Sequence, residues 1–155
     1  MKVGIEFEGF AKIEASLEKL GANVRQATEE ALVETQRIQA EACKIAAAPY
    51  KRGNGGLKGY ATGAMYDSIC EDKTVEWSGT QAAIETGFDY RKPGGKHSIY
   101  VQNGTPRRKS VNGKPNPMEA DAKIFQAVKG VKIREDIAKA QQRVFEEYQR
   151  KAMEG

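Results

Sequence analysis

The alternation of apolar and polar positions divides the chain into a short strand, two long helices and, between them, a hairpin set among loops. Val3, Ile5 and Phe7 alternate with Gly4, Glu6 and Glu8, the period of a half-buried strand suited to a sheet edge. Phe10, Ile13, Leu17 and Leu20 recur at three- and four-residue steps and predict an amphipathic helix that Gly21 ends. Asn23 can cap the next helix. From Val24 to Ala48 there is no Gly or Pro, and Ala27, Ala31, Ile38, Ala42 and Ile45 form a stripe at helical spacing. At 1.5 Å per residue that helix is about 35 Å long. The stripe reads as core, and its small alanines would also permit a helix–helix contact between subunits.

Pro49 to Ala61 holds Gly53, Gly55, Gly56 and Gly59 among Lys51, Arg52 and Lys58. A phosphate-binding P-loop ends in Gly-Lys-Ser/Thr, whereas Lys58 is followed by Gly59 and Tyr60, so this stretch reads as a flexible basic arm. Thr62 starts a short helix with Met65 and Ile69 on one face. Between Glu71 and Asp89 the period becomes two: Val75 and Trp77 alternate with Thr74 and Glu76, Ser78-Gly79 makes a tight turn, and Ala82, Ile84, Thr86 and Phe88 share a face of the return strand. This predicts an antiparallel hairpin whose apolar face lies on the long helix, with Trp77 and Phe88 contributing the largest buried areas. Tyr90 to His97 is a Gly- and Lys-rich loop.

The rest of the chain is organised around Ser98 to Ala122. The apolar run Ile99, Tyr100, Val101 must stop at Asn103-Gly104, because Asn and Gly accept positive φ and Pro106 biases Thr105 towards an extended conformation. Arg107 to Pro115 contains no acidic side chain and reads as a mobile, positively charged loop. Asn116-Pro117 can cap and open a helix, with Met118, Ala122, Phe125 and Val128 facing inward until Gly130 interrupts it. From Val131 the pattern Ile133, Ile137, Ala140, Val144, Tyr148 predicts a last amphipathic helix, partly free or bound to a partner.

Thr62-Gly63-Ala64-Met65-Tyr66-Asp67-Ser68-Ile69, then a hairpin, then Ile99-Tyr100-Val101-Gln102-Asn103-Gly104-Thr105, then Pro117-Met118-Glu119-Ala120 follow one another. In that order they resemble the head–tail joining or tail-completion proteins of long-tailed bacteriophages. That family shows a helix start like T-G-x-L-x-x-S-I, a segment like Y-x-x-V-E-x-G-T, and a Pro-aromatic-Leu turn opening a C-terminal helix. Here Gln102 stands for the acid, Asn103 for the aromatic before Gly-Thr, and Met118 and Glu119 for the aromatic and Leu. The resemblance implies an α+β fold with helices packed on a small antiparallel sheet. It further implies a virion protein that forms a homo-oligomeric ring, a hexamer being one size, at the neck between head and tail. Its partners would be tail-tube or tail-terminator proteins and the head connector, with DNA in the lumen as a nonspecific contact. Tyr100, Val101, Asn103, Gly104, Thr105, Pro117 and Met118 would then fix the base of the basic loop. Arg107, Arg108, Lys109 and Lys114 would face the partner.

Composition narrows the picture. A chain of 155 residues suits one domain over its whole length. Its 39% hydrophobic share falls below the usual range of roughly 45–50%. That favours packing against copies of itself, or else long solvated helices. The formal charge of +4 is modest, but Arg91, Lys92, Lys96, Arg107, Arg108, Lys109 and Lys114 crowd one region, and such a patch attracts phosphates or acidic protein surfaces. Cys43, Cys70 and the single His97 have no metal-ligand spacing, and the cysteines read as reduced, small hydrophobes of a protein made in the bacterial cytoplasm. No apolar run approaches the ~20 residues of a membrane span.

Catalysis is not expected. Acid/base or nucleophilic chemistry needs converging groups of matched pKa. His97 stands alone in a loop, while the adjacent pairs Glu71-Asp72 and Glu135-Asp136 diverge on helix or strand. No cofactor is implied. The competing expectation is a nonspecific nucleic-acid-binding protein that uses its basic loops on phosphates, although Tyr60, Tyr90 and Tyr100 are sparse for a base-stacking platform.

Overall fold

A computed structural model describes residues 2–5, 24–52, 63–107 and 109–154. The helix expected over Phe10–Leu20 and most of the glycine-rich arm lie outside the described residues, as do Phe7, Thr62 and Arg108. The architecture is α+β, with long helices packed on a small antiparallel sheet. In chain order the elements are β1 (Lys2–Ile5), α1 (Val24–Ala47), a 3-10 turn (Ala48–Tyr50), α2 (Ala64–Asp67), β2 (Glu76–Ser78), β3 (Gln81–Glu85), α3 (His97–Asn103), α4 (Ala122–Lys129) and α5 (Val131–Glu154).

The sheet has the order β1-β3-β2. Val3 opposes Ile84 and Ile5 opposes Ala82 across one ladder, and Trp77 opposes Ala82 across the other. Strand β1 is therefore an edge, as its pattern suggests. The predicted hairpin is present, turning at Gly79 with φ +61°. Its predicted face is buried at all four positions, Ala82, Ile84, Thr86 and Phe88. Ala82 and Ile84 meet Leu32 of α1 in one apolar cluster, with Val75 and Trp77 packed at its margin. Trp77 stays half-buried because its indole Nε1 donates to Glu29 at 2.9 Å while the Arg25 guanidinium lies 4.7 Å over the ring. Phe88 is deeply buried in the second cluster instead.

Helix α1 carries both clusters, and it buries a different arc from the one the stripe suggests. Ala27 and Ala31 are core, but Ile38 and Ala42 are half-buried and Ile45 is 78% exposed. Thr28, Thr35, Gln36 and Gln39 face inward in their place. Their polar groups find partners inside: the two hydroxyls donate to the carbonyls of Val24 and Ala31 at 2.8 Å, Gln36 donates to the Cys70 carbonyl, and Gln39 donates to the Val128 carbonyl at 2.8 Å. Bonded in this way, a polar side chain buries at little cost and ties α1 to distant segments.

The last helix is packed along α1 rather than free. Gln141 donates to Thr35 at 2.9 Å, Arg143 meets Glu34 at 3.5 Å and Tyr148 donates to Glu30 at 2.6 Å, so the two helices run antiparallel. Ile133 and Ala140 are buried, and Ile137, Val144 and Tyr148 half-buried, at the predicted spacing. The second cluster joins Ala40, Cys43 and Ala47 of α1 to Met65, Ile69, Phe88, Val101, Ile124 and Val128. Cys43 and Cys70 are free and buried. Burial pushes the Cys43 thiol up to about 12 and raises Cys70 as well. Among the described residues no helix is long and apolar enough to cross a membrane.

Candidate interaction site

The run Ile99-Tyr100-Val101 lies in helix α3, where only Val101 turns inward, leaving Ile99 and Tyr100 exposed. The helix stops where Asn103-Gly104 predicts. Asn103 remains helical and Gly104 takes the left-handed conformation at φ +72°. A Cβ there would fall 2.7 Å from the Met118 carbonyl oxygen and 2.9 Å from the Ala120 nitrogen, so the position requires glycine for its backbone and for its space. The close approach lets Thr105 and Met118 exchange backbone hydrogen bonds, Thr105 N–H donating at 2.8 Å and Met118 N–H at 3.4 Å.

That pairing overrides the helix start expected at Asn116-Pro117. Held opposite Thr105, Met118 is extended, and α4 opens only at Ala122. Asp121 is the cap, its carboxylate accepting from the N–H groups of Lys123 at 2.9 Å and Ile124 at 3.3 Å. Its own N–H donates to the Val101 carbonyl at 2.7 Å, and Tyr50 O–H donates to its other carboxylate oxygen at 2.7 Å. The later start changes the inward face to Ile124, Ala127 and Val128, leaving Ala122 and Phe125 exposed and Met118 half-buried. Local capping signals were available at both places, and the long-range ladder decided between them.

The loop expected to be mobile is a hairpin. Lys109 pairs with Pro115, Ser110 N–H donates to the Lys114 carbonyl at 2.8 Å, and Gly113, at φ +73°, donates to the Ser110 carbonyl at 2.9 Å. Val111 stands fully exposed in its turn. Arg107, Lys109 and Lys114 are exposed and make no ion pair among the described residues. Tyr100, Val101, Asn103, Gly104, Thr105, Pro117 and Met118 are thus gathered at the root of the hairpin, and the cations lie along it.

Arg91, counted with the same basic patch, behaves differently. Its guanidinium donates to Asp89 at 3.0 Å and to Glu85, and the hydrogen bond from Arg91 holds the Asp89 carboxyl below its ordinary range. That charge is already engaged within the chain.

A second surface adjoins α4. The C-terminal half of α1 and the α4–α5 elbow enclose an open groove of about 640 Å³, lined by Ile38, Ala42, Ile45, Ala127 and Ile133, with Glu41, Lys123, Lys132 and Asp136 beside them. Sequence reasoning named the stripe residues but not Val111 as a site. The signal was present in Asn112-Gly113, a strong hairpin dipeptide, which turns a polar loop into a ribbon with an aliphatic apex. No group of three or more His, Cys, Asp or Glu among the described residues is placed to hold a metal ion. No family model, no curated protein and no solved structure matches the chain. What the arrangement offers chemically is contact: unpaired cations on a stiffened ribbon, and an apolar recess.

Proposed function

We propose that the chain is a virion structural protein of a tailed bacteriophage, which joins copies of itself into a ring at the head–tail junction, completes the tail and meets the head connector. It is made in the bacterial cytoplasm, resides in the neck and acts by binding, with no reaction step. The observation that carries this reading is convergence. The Gly-Thr that ends one motif and the Pro-Met that opens the next bond to each other at Thr105 and Met118, and from that root rises a ribbon whose cations have no internal partner. Such a ribbon suits an acidic surface on a tail or connector protein.

The test is genetic and structural. A tailed phage deleted for this chain is expected to accumulate filled heads and separate tails, and the purified protein to join them in vitro. Joined, infectious particles formed without the chain would overturn the reading. A second reading, nonspecific binding of nucleic acid, draws on the unpaired Arg107, Lys109 and Lys114. It predicts retention of duplex DNA that falls steeply with salt.

A further inference from the structure

Val111 and Ile45 are the two most exposed large apolar side chains among the described residues, at 105% and 78%. One projects and the other sits in a recess. We infer that the hairpin of one copy seats Val111 in the groove of a second copy, against Ile38, Ala42 and Ile45. This rests on the self-assembly reading above and names the surfaces that carry it.

The fit has three parts. A tight turn presents one aliphatic side chain at its tip, and the groove offers an aliphatic floor open to solvent, with room for the side chain and the turn backbone around it. Lys109 and Lys114 flank the tip, and Asp136, which has no ion pair among the described residues, lies beside the groove, while Glu41 already accepts from Arg37 at 2.8 Å. Lys123 and Lys132 leave the groove neutral overall, so apolar contact supplies the attraction and Asp136 fixes the register. Finally, residues 6–23 are anchored away from it: Val24 is the first residue of α1, and Ile5 pairs with Ala82 beside Leu32, whereas the groove begins at Ile38.

The contact joins two different patches, so it is head-to-tail, and repeated it gives a ring or an open filament. Each copy then has one tip and one groove, and the test exploits that. Sedimentation velocity of the full chain is expected to show association beyond a dimer. Val111→Asp and Ile45→Asp, both at exposed positions, should each weaken it at least about tenfold with the thermal midpoint unchanged. An equimolar mixture of the two variants retains one intact tip and one intact groove, and should form a heterodimer and stop. Val111→Ile should associate like wild type.

A wild-type chain that stays monomeric, variants that assemble normally, or a mixture without heterodimer would each overturn the proposal. So would a lowered thermal midpoint for Ile45→Asp with association intact, which assigns the groove to the chain's own residues. Val111→Asp that loses duplex DNA but assembles normally would assign the tip to nucleic acid and overturn it too. Rings that form despite both substitutions, and still join heads to tails, would sink this contact and leave the neck reading standing.

Discussion

Arg91 and Lys109 belong to two lysine-rich stretches of similar composition, and the chain uses them in opposite ways. At Arg91 the guanidinium is held by Asp89 and Glu85, and its charge serves to close the turn after β3. Along 105–118 no acid is present, the backbone pairs with itself, and Arg107, Lys109 and Lys114 point to solvent. The difference lies in where the carboxylates are. A cation within reach of its own acids is part of the fold, while one on a ribbon without acids is available to something else.

If that division is right, the largest effect comes from the root of the ribbon. Gly104→Ala puts a methyl group into the Met118 carbonyl at a left-handed φ, and should cost about 2–4 kcal/mol of stability by urea denaturation. An unchanged midpoint would mean the ribbon is not anchored there. Asp121→Ala removes the α4 cap and leaves Tyr50 without its acceptor, for an expected loss of about 1–3 kcal/mol.

Alkaline pH sharpens the same point. Burial, with the hydrogen bond to Asp121, raises the Tyr50 phenol above its ordinary 10.0, so folding favours the neutral form. Stability should hold below pH 10 and fall as pH rises beyond it, because the unfolded chain ionises first. Tyr148 is raised to about 12, by burial and its bond to Glu30, and shares this trend. Tyr50→Phe should therefore flatten only part of the decline, and an identical pH profile would exclude Tyr50. The smallest effects separate the two basic stretches. Arg91→Ala should lower the thermal midpoint slightly, whereas Lys109→Ala with Lys114→Ala should leave it unchanged and weaken only partner binding.

Much of the frame was legible because burial imposes a period. Ala82, Ile84, Thr86 and Phe88, and Ile133 through Tyr148, repeat at the spacing their elements require. What was not legible depended on partners far away in sequence. Nothing local says that Gln39 will bond the Val128 carbonyl, and without that bond the apolar stripe through Ile45 looks like the buried face. Nothing at Asn116-Pro117 reveals that Thr105 will hold Met118 extended and hand the cap to Asp121. The root of the candidate site was visible as motifs. Its apex was hidden, because one valine in a basic loop looks incidental until the turn lifts it clear of the chain.

The two cysteines give the molecule an internal clock. Alkylating reagents attack the thiolate, and the interior withholds Cys43 from them both by exclusion and by keeping it protonated, with Cys70 sheltered alongside. Labelling at neutral pH can then proceed no faster than the protein opens, so the rate of reagent uptake reads how often this end of α1 comes apart.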